Sequence, residues 1–176
     1  MESIETYVLD SNPLLEAFGN AKTLKNVNSS RFGKFIQVNI QTQSGNICSA
    51  NILTYLLEKS RAVSVADNER AFHIFYQGLA SDEVRAKYGL TSANPGDYGF
   101  LRNSAGVYTI DGVDDRASYD VTMTCMRKIG FSNQEIDNIW QIIAAILNMG
   151  NVNYRIDGVD ESYVTAEGRV FAEKAA

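Results

Sequence analysis

Residues 26–35 of this 176-residue chain read NVNSSRFGKF, and they decide how the rest is interpreted. Two asparagines, two adjacent serines and an arginine lie within six positions, and an alternating apolar pattern follows at once. A hydrophobic core does not need such a cluster of short polar side chains. Hydroxyl oxygens suit a hard cation, amide nitrogens suit phosphate oxygens, and a guanidinium suits a carboxylate. The stretch therefore predicts a loop that grips phosphate and magnesium, although composition alone also fits a plain polar turn.

The sequence after this stretch predicts a β-hairpin. Residues 32–40 alternate in the manner of a strand, and residues 47–57 form a second β-rich run. Ser44, Gly45 and Asn46 lie between the two runs and have turn chemistry. We therefore expect a hairpin over about residues 32–57.

Helical patterns dominate the remainder. Asn12 and Pro13 have the order of an N-cap and a first helical residue, which predicts that a helix begins there. Ser132 and Glu135 have capping-box spacing and open the clearest helix, which Gly150 ends. Other segments are predicted as follows: a loop at 20–31, helices at 67–79, from Ser81 to before Gly89, around 119–129 and from Ser162 onward, and a short strand at 152–156 before a turn at Asp157 and Gly158.

Composition describes a single globular domain. Apolar residues make up 45% and charged residues 21%, and the net charge is -5. The acidic balance argues against nucleic acid as a partner. No stretch approaches the roughly 18 apolar residues of a membrane span, so direct membrane insertion is not expected. Cys48, Cys125 and the single His73 lack zinc spacing, which indicates two reduced cytosolic thiols and a structural histidine.

The order of residues in the opening stretch resembles switch I of myosins and kinesins, Asn-x-x-Ser-Ser-Arg. The continuation FGKF at 32–35 is similar to myosins, whereas kinesins typically continue with Ser-His. Further blocks resemble myosin segments in the same order: NPLLEAFGNAKT at 12–23, YLLEKSR at 55–61, NER at 68–70, HIFYQ at 73–77 and IIAAILNMGN at 142–151. The resemblance covers about residues 5–155, and the chain is identified as a member of the myosin motor family.

The resemblance implies an α/β fold, namely part of a P-loop NTPase motor fold in which a β-hairpin from the central sheet joins a mainly helical subdomain. Residues 1–176 would form a motor-domain fragment, with switch I at 26–31, the hairpin at about 32–57 and much of the upper 50 kDa subdomain at about 67–150. We further expect both chain ends to be cut points rather than natural termini.

The resemblance also implies roles for four residues. Asn26 would contact the nucleotide phosphates, and Ser29 would lie near the terminal phosphate and help to place the attacking water. Ser30 would ligate Mg²⁺ through its hydroxyl, and Arg31 would pair with a switch II glutamate when the site closes. Val27 departs from the polar residue usual at its position, but its side chain is not an expected ligand.

The implied function is that of one piece of an actin-based motor. In the intact motor the cofactors would be ATP and Mg²⁺, and the partners would be the actin filament and the rest of the myosin heavy chain, in the cytoplasm at the cytoskeleton. No G-x-x-x-x-G-K-[ST] and no Asp-x-x-Gly occurs in the sequence, so a P-loop and a switch II are missing. We therefore expect the parent to be an ATPase and the isolated chain to be inactive. The alternatives are a non-catalytic binding or scaffold module and a GTPase-like regulator.

Overall fold

The computed structural model describes residues 4–157 and 161–176. Its described helices are Ile4–Gly19 (α1), His73–Ala80 (α2), Asp82–Lys87 (α3), Asp115–Ile129 (α4), Asn133–Met149 (α5) and Ala166–Ala175 (α6), with 3-10 turns at Lys59–Ala62 and Pro95–Asp97. Its described strands are Asn20–Ala21 (β1), Ser29–Ser30 (β2), Gly33–Ile40 (β3), Ile47–Tyr55 (β4), Tyr154–Asp157 (β5) and Glu161–Val164 (β6). The strands pair in sequence order as three antiparallel two-stranded sheets. The expected mixture of helix and strand is therefore confirmed.

The hydrophobic core surrounds α2, in which every residue from 74 to 79 is buried. Helices α1, α4 and α5 all pack against α2. Trp140 of α5 approaches α2 at Gly78, where an added Cβ would lie only 2.8 Å from the indole Cζ3 atom. The Trp140 Nε1–H points at the Met123 sulfur at 3.2 Å, so the buried indole donor has a partner. The apolar face of α5 is thus a packing face, and Trp140 is its centre.

The predicted start of α5 is confirmed in atomic detail. The Ser132 hydroxyl accepts from the Glu135 N–H at 3.3 Å, and the Glu135 carboxylate accepts from the Ser132 N–H at 2.8 Å. The bonds that the Ser132 N–H and hydroxyl donate to the carboxylate hold the pKa of Glu135 below its usual value. The reciprocal pattern is a capping box, which satisfies two amide groups that a helix leaves free at its first turn.

Replacing Ser132 by alanine is expected to lower the free energy of unfolding by about 1 kcal/mol, because the N-cap acceptor is lost. Urea denaturation followed by circular dichroism measures the change. Ser132→Thr keeps an accepting hydroxyl and should lose much less. An unchanged unfolding midpoint in Ser132→Ala would mean that the cap contributes nothing.

The predicted start of α1 at Asn12 is wrong, because the helix begins at Ile4 and carries Pro13 in its interior. A proline inside a helix removes one backbone donor, and packing of the preceding turns outweighs that loss here. Asp10 lies in these turns and accepts from Lys128 of α4 at 3.2 Å. A helix that began at Asn12 would not place Asp10 in a helical turn facing α4.

The predicted cap at Asp67 is also wrong, because α2 begins at His73. Asp67 accepts from the backbone N–H of Ser104 at 3.0 Å and so fastens a distant loop. Asn68 has a φ of 61°, in the left-handed region, which interrupts any right-handed helix at that point. The predicted helices from Ser81 and up to Gly130 are confirmed as α3 and α4. The helix predicted from Ser162 onward is found as α6, but it begins only at Ala166, because residues 162–164 pair with β5 in strand β6.

The predicted hairpin is confirmed as β3 and β4, which pair from Gly33 opposite Tyr55 to Ile40 opposite Ile47. Gly45 takes a φ of 72° in the connecting turn, which glycine adopts at little cost. The residues predicted as a loop at 20–31 contain β1 and β2 at its two ends. The strand predicted at 152–156 is β5, and the turn predicted after it runs into residues 158–160, outside the described residues. Within the described residues, no helix has the length and apolar character that crossing a membrane would need.

Candidate functional site

Residues 22–31, which include the polar stretch as far as Arg31, form a closed loop after α1 that we call the polar loop. Strands β1 and β2 pair at its base, with Asn20 opposite Ser30 and Ala21 opposite Ser29. The backbone N–H of Arg31 donates to the carbonyl of Gly19 at 2.8 Å and closes the base further. The loop is therefore presented by the rigid end of a helix.

The tip of the loop is a tight turn that holds Asn26. The N–H of Thr23 donates to the Asn26 carbonyl at 2.8 Å, and the N–H of Asn26 donates back to the Thr23 hydroxyl at 3.1 Å. The Asn26 side-chain oxygen accepts from the N–H of Asn28 at 2.9 Å. This bond fixes the amide plane of an exposed side chain. An amide donor held in this way suits a phosphate oxygen.

The two serines of the loop differ in how their hydroxyls are used. Ser30 is exposed, and its hydroxyl donates to the Phe32 carbonyl at 2.9 Å. Because its proton is already engaged, the Ser30 hydroxyl presents its oxygen lone pairs to solvent. Ser29 is half-buried, and its hydroxyl accepts from Nη1 of Arg31 at 3.3 Å. The proton of Ser29 therefore stays available as a hydrogen-bond donor. Of the two adjacent serines, Ser29 can donate to a ligand and Ser30 can accept from one.

Arg31 is held by Glu58, a residue to which the sequence analysis gave no role. The Arg31 Nε–H donates to Glu58 Oε2 at 2.5 Å, and the Glu58 N–H donates to the Arg31 carbonyl at 2.9 Å. The Arg61 guanidinium shares the same carboxylate at 2.8 Å. Hydrogen bonds from Arg61 and then Arg31 hold the pKa of Glu58 below its usual value, against the opposing effect of burial. Arg31 thus sits beside Ser29 with a charged partner inside the chain.

Asn28 anchors the middle of the loop to the helical core. Its amide donates to Glu16 at 2.9 Å, and its oxygen accepts from the Asn20 amide at 3.1 Å. The same oxygen lies 3.1 Å from Nε2 of His73. Burial, reinforced by the Arg70 cation, lowers the pKa of His73 to about 4, so the imidazole is neutral at physiological pH. His73 is therefore structural, as expected, and acts as a donor to Asn28 in the Nε2–H tautomer that this contact assigns.

A cleft of about 560 Å³ adjoins the loop on its Val27 and Asn28 side. Glu16, Asp114 and Asp115 are among its lining residues, and no lysine or arginine is. Carboxylates repel phosphate, so the cleft does not suit a nucleotide's phosphates. Among the described residues no group of three or more His, Cys, Asp or Glu side chains could hold a metal. The Ser30 hydroxyl oxygen instead suits Mg²⁺ that is shared with phosphate oxygens, and the Asn26 amide N–H suits those phosphate oxygens.

Comparison with known proteins gives the family. The model of the myosin head, described as a motor domain, matches residues 1–176 of the chain. The chain belongs to the myosin head family.

Individual relatives agree with this assignment. The chain is 48% identical over 154 residues to the non-muscle myosin heavy chain of Drosophila melanogaster, an alignment that covers 86% of the chain and 7% of that protein. It is 48% identical over 155 residues to the myosin-J heavy chain of Dictyostelium discoideum, covering 87% of the chain and 7% of the relative. It is 47% identical over 157 residues to myosin-1 of Neurospora crassa, an alignment that covers 88% of the chain and 12% of that protein. The chain therefore spans 7% to 12% of the length of these relatives.

Proposed function

We propose that this chain supplies the switch I element of an actin-based motor and that residues 26–31 bind the phosphates of Mg-ATP. The observation that carries the proposal is the state of the loop's polar groups. Asn26 has its oxygen engaged and its amide exposed, and Ser30 has its proton engaged and its lone pairs exposed. The loop is thus prepared for an anion at one residue and a cation at another.

Four residues of the loop would each have a separate role in binding Mg-ATP. Asn26 would donate to phosphate oxygens, and Ser29 would donate toward the terminal phosphate or the water that attacks it. Ser30 would hold Mg²⁺, which when bound supplies positive charge to phosphate oxygens. Arg31 would close the site by pairing with a switch II glutamate that approaches it. Phosphoryl transfer requires mainly positioning and charge stabilisation, which these side chains provide.

The β3–β4 hairpin, which follows the loop directly, would connect it to a larger sheet. Phe35 of β3 is 56% exposed and Leu53 of β4 is 51% exposed, although both are large apolar residues in the middle of their strands. A lone two-stranded hairpin is marginally stable in water, which favours further strands at its edges. We infer that the hairpin belongs to the motor's central sheet and that residues 67–150 belong to the upper 50 kDa subdomain. ATP hydrolysis and actin binding would then be properties of the whole heavy chain at the cytoskeleton.

A scaffold without catalysis remains the second candidate. The observation that favours it is the acidic lining of the cleft beside the loop. On either proposal the isolated chain turns over no ATP. The two differ in the intact heavy chain, where only the motor requires Ser30 for Mg²⁺-dependent hydrolysis.

Ser30→Ala in the intact heavy chain is expected to raise the Mg²⁺ concentration that gives half-maximal ATPase activity by about tenfold or more, because a metal ligand is lost. A Mg²⁺ titration of the steady-state ATPase rate measures this shift. Ser64→Ala, which removes an exposed hydroxyl outside the loop, is the matched control and should match the wild type. Identical Mg²⁺ curves for all three proteins would reject the switch I role of Ser30, whereas the absence of ATPase activity from the wild-type heavy chain would favour the scaffold.

A further inference from the structure

We propose that Arg61 is a positioning residue that fixes both ends of the polar loop, residues 22–31, through two carboxylates, Glu58 and Glu69. The proposal rests on the proposed phosphate-binding function of that loop. It adds a residue that touches neither nucleotide nor metal and acts through its neighbours.

Arg61 lies in the 3-10 turn Lys59–Ala62 and is 7% exposed. Its Nε and Nη2 atoms donate to the two oxygens of Glu58 at 2.8 and 3.3 Å, which is a forked contact. Its Nη1 atom donates to Oε2 of Glu69 at 2.8 Å and to the carbonyl of Arg70 at 3.2 Å. All three nitrogens of the planar guanidinium are therefore engaged, and the positions of the two carboxylates are fixed relative to each other.

Each carboxylate has a second bond, and the two second bonds reach opposite ends of the loop. Glu58 accepts from Nε of Arg31 at 2.5 Å, at the end where β2 leaves. Glu69 accepts from the backbone N–H of Leu24 through its other oxygen at 3.2 Å, two residues before Asn26. Arg61 thus connects the beginning and the end of the loop by two side-chain paths.

Backbone bonds run beside both paths and show that the anchoring is specific. The N–H of Glu58 donates to the carbonyl of Arg31 at 2.9 Å, and the N–H of Arg70 donates to the carbonyl of Lys22 at 3.0 Å. The side-chain and main-chain contacts therefore fix the same two ends of the loop, at Arg31 and at residues 22–24. A loop held at both ends in this way keeps its ligand groups in one arrangement, which phosphoryl transfer needs.

The charges of the cluster also balance. Two guanidinium groups, Arg31 and Arg61, face two carboxylates, Glu58 and Glu69. Burial raises the pKa of Glu69, but hydrogen bonds from Arg61 and from the Leu24 N–H outweigh it, and the net direction is downward. Both carboxylates are ionised at neutral pH. Without Arg61, the half-buried Glu69 would lose its ion-pair partner, and Glu58 would keep only its ion pair with Arg31.

Steady-state ATPase kinetics of the intact heavy chain test the proposal with Arg61→Lys. A lysine keeps the charge but provides a point donor in place of the fork, so it cannot hold both carboxylates in the same geometry. We expect kcat to fall and KM for ATP to rise, with kcat/KM lower by about tenfold or more. Lys59→Ala removes an exposed cation from the same turn and serves as the control with wild-type kinetics.

A second pair of variants distinguishes positioning from folding. Glu69→Ala removes both acceptors, whereas Glu69→Gln keeps one amide oxygen for the Leu24 N–H but turns an NH2 donor toward the Nη1 donor of Arg61. We expect both variants to raise KM for ATP more than they lower kcat, because each breaks the Arg61 contact that holds the end of the loop near Asn26. This pair also decides the question if Arg61→Lys fails to fold.

The outcomes separate this proposal from the function on which it rests. Wild-type kcat and KM in Arg61→Lys, together with impaired hydrolysis in Ser30→Ala, would overturn the positioning role of Arg61. The proposed phosphate-binding function of the polar loop would then be unaffected. A wild-type KM for ATP in Glu69→Gln would also overturn the positioning role, because that variant keeps an acceptor for the Leu24 N–H and loses only the Arg61 contact. Wild-type kinetics in Ser30→Ala as well as in the Arg61 and Glu69 variants would remove the proposed function itself.

Discussion

Replacing Arg31 by alanine should lower the ATPase rate of the intact heavy chain by about a hundredfold or more, the size of loss that follows removal of a preorganised electrostatic group. Arg31 contributes in two ways. Its Nη1 atom donates to the Ser29 hydroxyl at 3.3 Å, so the alanine variant frees the side chain proposed to place the attacking water. Its charge is also the one proposed to draw a switch II glutamate into the closed site.

A separation of binding from hydrolysis identifies this effect. Binding of a fluorescent ATP analogue should change by less than tenfold in Arg31→Ala, because Asn26 and Ser30 hold the phosphates, whereas the single-turnover hydrolysis rate should fall. Arg31→Lys keeps the charge without the second donor and should recover only part of the rate. Lys25→Ala removes an exposed cation from the same loop as the control. Normal hydrolysis in Arg31→Ala would contradict the closing role.

The parts of the fold that the sequence predicts are those with local causes. The capping box at Ser132 and Glu135 and the turn at Gly45 each involve residues a few positions apart, and α5 and the hairpin follow from them. The wrong helix starts have distant causes. Asp10 meets Lys128 and Asp67 meets Ser104, and neither contact has a signature in local spacing.

The candidate site divides in the same way. Asn26, Ser29, Ser30 and Arg31 could be singled out because they are contiguous and their order resembles switch I, and their roles stay predictions. The residues that hold the loop come from elsewhere in the chain: Glu16, Glu58, Arg61, Glu69 and His73. Glu58, Arg61 and Glu69 lie in the YLLEKSR and NER blocks, which resemble myosin segments but do not indicate what these side chains contact. Their function depends on which carboxylate faces which guanidinium, and only the folded chain determines that.

The second large effect concerns a cation that is completely buried. Arg70 is 0% exposed, and its one ion pair within the described part of the chain joins Nη2 to Asp115 Oδ1 at 2.7 Å. The guanidinium lies 3.7 Å from the centre of the Tyr76 ring. Its Nε and Nη1 atoms have no hydrogen-bond partner among the described residues. Asp115 therefore provides the charge that compensates Arg70, and the Tyr76 ring is the remaining favourable contact.

Asp115→Asn should lower the free energy of unfolding by about 3 kcal/mol, toward the lower end for breaking a buried ion pair because Asp115 itself is partly exposed. Urea denaturation measures the loss. Asp120→Asn, which breaks the exposed pair with Arg116 in the same helix, should cost less than about 1 kcal/mol.

The double variant Arg70→Met/Asp115→Asn separates the loss of an attraction from the isolation of a buried charge. If the cost of Asp115→Asn comes from leaving Arg70 uncompensated, the apolar methionine removes that cost and the double variant is more stable than the single one. If the cost came from the helix start instead, where Asp115 is the first residue of α4, the methionine would leave it unchanged or increase it. Greater stability of the single variant would therefore assign the effect to the helix dipole rather than to the buried guanidinium.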